Sequence, residues 1–156
     1  MVYPDLYHFL EGAAMPSPDT KIRIAWQSWF EVGHARIDAE HKAFFDIIKA
    51  IDDDVHRDAS TMRILRSLNE LALYTAFHFA SEENLMEDAA YPALRSHRDL
   101  HQAILAEMND FIRDIRLGID RVGELVSFLF NWFCSHTVTE DTKFSKYVTT
   151  VTAGGA

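Results

Sequence analysis

An all-α fold, an antiparallel up-down-up-down four-helix bundle, is what three features of this 156-residue chain predict. Apolar residues recur at 3.6-residue spacing over four long segments. The connections between those segments are short, which favours antiparallel neighbours. Strand-like alternation is confined to "KIRIAW" and the C-terminal "YVTTVT", and no internal repeat is present.

The elements follow in order. Residues 1–20 form an N-terminal extension, because "AAMPSPDT" carries two prolines among small polar residues, as linkers do. The domain spans 21–150, and 151–156 is a tail. The first helix is expected after Asp38, taken as its N-cap, and runs to about Val55. Its apolar face holds Phe44, Phe45, Ile48, Ile51 and Val55, with His41 on the same face. The second starts at Ser60, another N-cap candidate, and reaches about Asp88. Leu65, Leu68, Leu71, Ala72, Thr75, Phe79, Leu85 and Met86 mark its buried stripe, which passes through His78 and Glu82.

The third helix follows "YPALRSH", with Pro92 suited to a first turn. Its stripe is Leu94, His97, His101, Ile104, Leu105, Met108, Phe111, Ile112 and Ile115, and Gly118 stops it. The fourth opens after Asp120 and places Val122, Leu125, Val126, Leu129, Trp132, Phe133 and His136 on one face. A short extra helical segment is expected at about Asp141 to Tyr147.

Composition narrows the function. Fifteen Lys and Arg against twenty-four Asp and Glu give a formal charge of -9. Such a surface repels phosphate backbones and anionic lipid, so neither a nucleic-acid nor a membrane partner is expected. The most apolar stretch, "VGELVSFLFNWFC", contains Glu124 and Asn131 and is too short to span a bilayer. The lone cysteine, Cys134, permits no internal disulfide and is read as an ordinary buried thiol. A cytoplasmic monomer is expected.

The eight histidines carry the argument. Each helix places at least one on its buried face: His41, His78, His97 with His101, and His136. Glu82 joins them. An i,i+4 step turns a helix by about one revolution plus 40°, so His78 and Glu82 point together, as do His97 and His101. A lone histidine on an apolar face is ordinarily a hydrogen-bonded core residue. Here that reading has to hold five times, beside a buried glutamate. An unpaired buried ion costs several kcal/mol, against a net domain stability of about 5–15 kcal/mol. A metal removes the difficulty by taking the imidazole lone pairs and neutralising the carboxylate. Nitrogen and oxygen donors without thiolate disfavour structural zinc or iron–sulfur. Carboxylates among bundle helices suggest di-iron or di-manganese, and a histidine-dominated set favours reversible capture over oxygen activation.

These residues resemble the hemerythrin family, and within it the single-domain bacterial hemerythrins. The matching pieces are Trp26, "VGHARIDAEHK", "HFASEENLM", "YPALRSHRDLH" and "WFCSHTVTED", in the family's order, over about residues 24–148. The resemblance implies a centre of two iron ions. His41 and His78 would be terminal ligands of one, and His97, His101 and His136 those of the other. Glu82 and Asp141 would bridge the pair with a solvent-derived oxo or hydroxo group, leaving the first iron an open position for dioxygen. His136 and Asp141 are i,i+5, about 140° past a full turn on an ideal helix, so a widened turn or break is expected in "HTVTED".

His34 is read as a loop side chain, His8 and His56 as surface residues, and Glu83 as outward-facing. Phe44, Phe45, Phe77, Phe79, Trp132 and Phe133 are read as core, some of them walling the metal pocket. Two functions share the ligand set. One is non-enzymatic: reversible dioxygen binding for storage, delivery or sensing. The alternative is a di-iron oxidase, peroxidase, ferroxidase or nitric-oxide scavenger. The histidine-rich ligands favour binding.

Overall fold

The computed structural model describes residues 26–154; the predicted extension at 1–20, His8 and most of "KIRIAW" lie outside the described residues. Four long helices follow a 3₁₀ turn at Ser28–Phe30: α1 (Ala35–His56), α2 (Thr61–Asp88), α3 (Leu94–Arg116) and α4 (Val122–His136). A π-helical turn, Thr137–Asp141, joins α4 to α5 (Thr142–Gly154). Among the described residues there is no strand. Helix α2 packs on α1 and α3, and α4 packs on α1 and α3, around a main apolar core, with a smaller apolar cluster of Ile37, Met86 and Phe144 beside it.

The buried faces follow the apolar period. On α4 the buried residues are Val122, Leu125, Val126, Leu129, Trp132, Phe133 and His136, the predicted stripe. Phe77 departs from its expected place in the core. The inward stripe of α2 runs through Thr75, His78, Phe79 and Glu82, and Phe77 lies off it, 53 % exposed.

Helix ends show why the elements stop. Ser60 caps α2 by accepting from Arg63 N at 3.4 Å. Helix α3 closes with Ile119 N donating to Asp114 O and Gly118 N to Ile115 O, the paired bonds of a left-handed C-terminal cap. Gly118 supplies the φ of +86° that this cap requires. Helix α2 ends on the same pattern, with Tyr91 N donating to Met86 O and Ala90 N to Glu87 O. There Ala90 holds the left-handed position, at φ +50°. A Cβ in that region costs roughly 1–2 kcal/mol. Ala90→Gly is therefore expected to stabilise the protein by about 0.5–1 kcal/mol, read as a higher denaturation midpoint at unchanged slope.

Three expectations are corrected. Asp38 is not the N-cap of α1. The helix begins earlier, and His34 caps it, its Nδ1 accepting from Ile37 N at 3.5 Å. Asp38 sits inside the first turn and reaches back to accept from Val32 N (2.7 Å) and Gly33 N (3.2 Å), tying down the segment that enters the helix. "YVTTVT" is helical, within α5, because the strand preference of its β-branched residues does not overcome the packing of Phe144 and Val148 against Ile37 and Met86. Helix α5 accordingly runs past Tyr147, into residues assigned to the tail. The expectation for "HTVTED" holds: the chain widens into a π turn there.

Candidate metal centre

The six residues picked out on helix faces, His41, His78, Glu82, His97, His101 and His136, are all buried, and so is Asp141, which the family resemblance added to them. Helix α1 supplies His41, α2 supplies His78 and Glu82, α3 supplies His97 and His101, and α4 supplies His136. The π turn decides Asp141. Its extra residue brings an i,i+5 pair onto one side, so that Asp141 Oδ1 comes within 3.0 Å of His136 Nε2.

Four of these residues, Glu82, His97, His101 and His136, put their donor atoms within 4.8 Å of one another. Three imidazole Nε2 atoms converge: His136 lies 3.1 Å from His101 and 3.2 Å from His97. Glu82 Oε2 approaches His97 Nε2 at 3.2 Å and His101 Nε2 at 3.4 Å. On the other side, His41 and His78 stand edge to face with ring centres 5.0 Å apart. Asp141 straddles the two groups. Its Oδ1 faces His97 and His136, and its Oδ2 lies 3.2 Å from His41 Nε2.

The set does not satisfy itself. Both ring nitrogens of His41, Glu82 Oε1 and both oxygens of Asp141 are buried without an aligned hydrogen bond. Unpaired buried polar atoms cost about 1–3 kcal/mol each, and three facing imidazole nitrogens cannot share enough protons to pair. A cation supplied to these nitrogen and oxygen donors resolves both problems, so the residues fit a metal.

Electrostatics shows where protons stand before a cation enters. Burial drives the His41 and His97 pKa values down, but nearby carboxylates overcome it and hold both above the ordinary histidine value. Asp141 and Glu82 do this for His41, and Glu82 and Asp141 for His97. His101 is pushed far below that value, by burial first and then by the positive potential of His136 and His97. It therefore keeps a free lone pair. Burial opposes ionisation of Asp141, yet His136 and His41 hold it well below the usual carboxylate range. Burial pushes the Cys134 thiol up to about 12, consistent with an inert thiol.

Rings pack tightly around the donors. Phe79 stacks on His101 with centroids 3.7 Å apart, and Trp132 stacks on His136 at 4.5 Å. Phe133 meets His41 edge-on at 5.4 Å and stacks on Phe44.

One carboxylate, Glu40, escaped the sequence reading, and another, Glu83, was given the wrong direction by it. Glu40 is buried and its Oε2 accepts from His78 Nδ1 at 3.0 Å; its Oε1 accepts from Ser81 Oγ at 2.6 Å. Hydrogen bonds from His78, Ser81 and Arg36 outweigh burial and hold Glu40 below the usual carboxylate value. The signal was present: Ile37, Glu40, Phe44 and Phe45 share one helical stripe, visible once α1 starts at Ala35 rather than after Asp38. Glu83 was expected to face outward. It turns inward instead, its Oε1 accepting from His101 Nδ1 at 3.0 Å, because its place at the α2–α3 seam leaves both directions open. A carboxylate can only accept, so Nδ1 carries the proton in His78 and His101, and Nε2 is left as the lone pair for a metal. His34 and His56 stand apart from the cluster. The first caps α1, and the second is exposed, its Nδ1 bonded to Asp52 O.

Residues 32–148 match the family model described as the Hemerythrin HHE cation binding domain. The chain is similar to the bacteriohemerythrin of Pseudomonas paraeruginosa (strain DSM 24068 / PA7), 30 % identical over 118 residues, 76 % of each chain. It is similar to that of Ralstonia nicotianae (strain ATCC BAA-1114 / GMI1000), 33 % identical over 114 residues, 72 % of this chain and 80 % of the relative. A hemerythrin chain of Sipunculus nudus is 30 % identical over 129 residues, 83 % of this chain and 94 % of the relative.

Proposed function

Since this chain belongs to the hemerythrin family, we propose that it binds dioxygen reversibly at a centre of two iron ions, for storage, delivery or sensing. One observation carries the reading: a histidine-rich donor set divides into two groups, with a single carboxylate, Asp141, presenting one oxygen to each. In this reading His41 and His78 hold one ion, His97, His101 and His136 hold the other, and Asp141 and Glu82 span the pair. Iron bound there would supply electrons to dioxygen and take them back. Short connections between the four helices support an antiparallel up-down-up-down course, which brings ligands from every helix to one level.

The protein's own residues account for reversibility. Glu40 and Glu83 fix the Nδ1 protons of His78 and His101, so these imidazoles act as neutral donors. Neutral donors stabilise high metal charge less than carboxylates do, which eases the return of electrons. Phe44, Phe79, Trp132 and Phe133 present hydrocarbon to the donors and exclude water and anions. Both outer carboxylates are committed to ligand histidines, which leaves neither as a free acid or base and favours a binding protein over an enzyme. Among the described residues, no helix is long and apolar enough to cross a membrane.

The test is spectroscopic. Iron-loaded protein, expected to hold about two ions per chain as bundle carboxylate sites do, is taken through nitrogen, air and vacuum. A visible band should appear with oxygen and bleach on its removal over several rounds. Consumption of the ferrous state on first exposure, with no oxygen recovered, would transfer the assignment to the oxidase, peroxidase, ferroxidase or nitric-oxide-scavenging alternative.

A further inference from the structure

We propose that Arg98 is a positioning residue for the metal site, acting through Glu83 on His101, and that Arg36 acts in the same way through Glu40 on His78. The inference rests on the metal-binding reading above. Glu83 divides its two oxygens: Oε1 accepts from His101 Nδ1 at 3.0 Å and Oε2 accepts from Arg98 Nε at 2.8 Å. Glu40 divides its own likewise, with Oε2 on His78 Nδ1 and Oε1 shared by Ser81 Oγ and Arg36 Nε at 3.1 Å. Each chain of contacts steps from solvent to core. The side chains of Arg98, Glu83 and His101 are 41 %, 18 % and 1 % exposed.

An exposed Arg–Glu pair is by itself a weak surface feature. Two facts separate these from that ordinary case. In each, the second oxygen of the same carboxylate is committed to a buried ligand histidine. In each, the carboxylate also crosses a helix seam, Glu40 from α1 to α2 and Glu83 from α2 to α3. Arg98 and His101 lie three residues apart on α3 and grip one carboxylate on α2 between them. With the guanidinium in place, Glu83 cannot rotate toward water without breaking a charge-assisted bond. Its grip on Nδ1 therefore holds, and the Nε2 lone pair of His101 stays aimed at the cluster. Partners of this kind orient the ring and raise its basicity.

Cobalt(II) binding by the full chain tests the proposal, with Arg98→Gln, Glu83→Gln, the double variant and Arg98→Lys. Loss of an outer partner costs about 10–100-fold in metal affinity, the effect expected for Glu83→Gln. Arg98→Gln should weaken binding in the same direction by a smaller factor, and Arg98→Lys should restore part of it. The double variant should bind no worse than Glu83→Gln alone, since Arg98 acts only through Glu83. In zinc-loaded protein the His101 Nδ1–H proton resonance should move upfield in Arg98→Gln and Glu83→Gln, a change that general loosening would not confine to one ring. Arg36→Gln and Glu40→Gln form the matching arm, read at His78. Wild-type binding with Arg98→Gln unchanged, or losses that add in full in the double variant, would overturn the positioning role alone. Failure of the wild-type chain to bind cobalt at all would overturn the metal reading beneath it.

Discussion

Glu82→Gln is expected to abolish metal loading at the proposed two-iron centre while leaving the fold intact. Glu82 is fully buried, its Oε2 lies against His97 and His101, and its Oε1 has no hydrogen-bond partner. The substitution keeps volume and shape and removes one negative charge and one metal-binding oxygen. Iron content should fall from about two per chain to one or fewer, and the oxygen-dependent band should disappear. Stability should fall most in the loaded state. Without metal, the substitution removes the carboxylate that faces His97 and holds its pKa raised, so metal-free Glu82→Gln should melt below metal-free wild type at mildly acidic pH and approach it as pH rises through that raised value. After iron loading it should melt further below loaded wild type. His101→Ala should lose the band as well, since it removes a converging Nε2. His56→Ala, on the exposed end of α1, should leave iron content and spectrum unchanged and alter stability by less than about 0.5 kcal/mol. A Glu82→Gln protein that kept two irons would show that this side chain does not span the ions.

Removing metal should produce the largest shift in stability. A ligand present at about a thousand times its dissociation constant adds about 4 kcal/mol. For a domain of this size each kcal/mol moves the thermal midpoint by roughly 2–4 °C, so stripping iron should lower it by on the order of 10 °C. The loosening should be local. Asp141 is held on the π turn by its neighbours in the cluster, so amides of Thr137–Asp141 and the start of α5 should exchange faster. The end of the bundle near Val55 and Val122, packed in the main apolar core, should not.

The dependence on pH has a definite sign. His41 and His97 have raised pKa values in the metal-free fold. The stability they contribute is present below the ordinary histidine value and is lost as pH rises through their raised values. Metal must displace those same protons, so its affinity grows over that range. His101, with its depressed value, releases no proton there. The gap between loaded and metal-free midpoints should therefore widen from mildly acidic to neutral pH and beyond. Melting curves of both forms across that range measure it, and coincident midpoints would argue against a shared buried site.

How much of this could be read from the chain alone follows from what periodicity encodes. A 3.6-residue repeat says which face of a helix is buried, and that was enough for the four helices and the inward placement of His41, His78, Glu82, His97, His101 and His136. Once the family resemblance had joined Asp141 to His136 in one site, helical geometry called for a widened turn or break between them, and the π turn supplies it. Phe77 marks the angular resolution of that repeat: one residue beside His78, it points to solvent because about 100° of rotation separates them. Periodicity does not say which neighbouring helix a seam residue meets. Glu40 and Glu83 lie at such seams, where a small rotation chooses between water and a ring nitrogen across the gap. Only the packed helices bring His78 to Glu40 and His101 to Glu83, 38 and 18 residues away in sequence. The two faces of Asp141 are likewise a tertiary fact. One carboxylate reaches His41 on α1 and His136 on α4 only because those helices are neighbours, and local sequence carries no record of a contact made across the bundle.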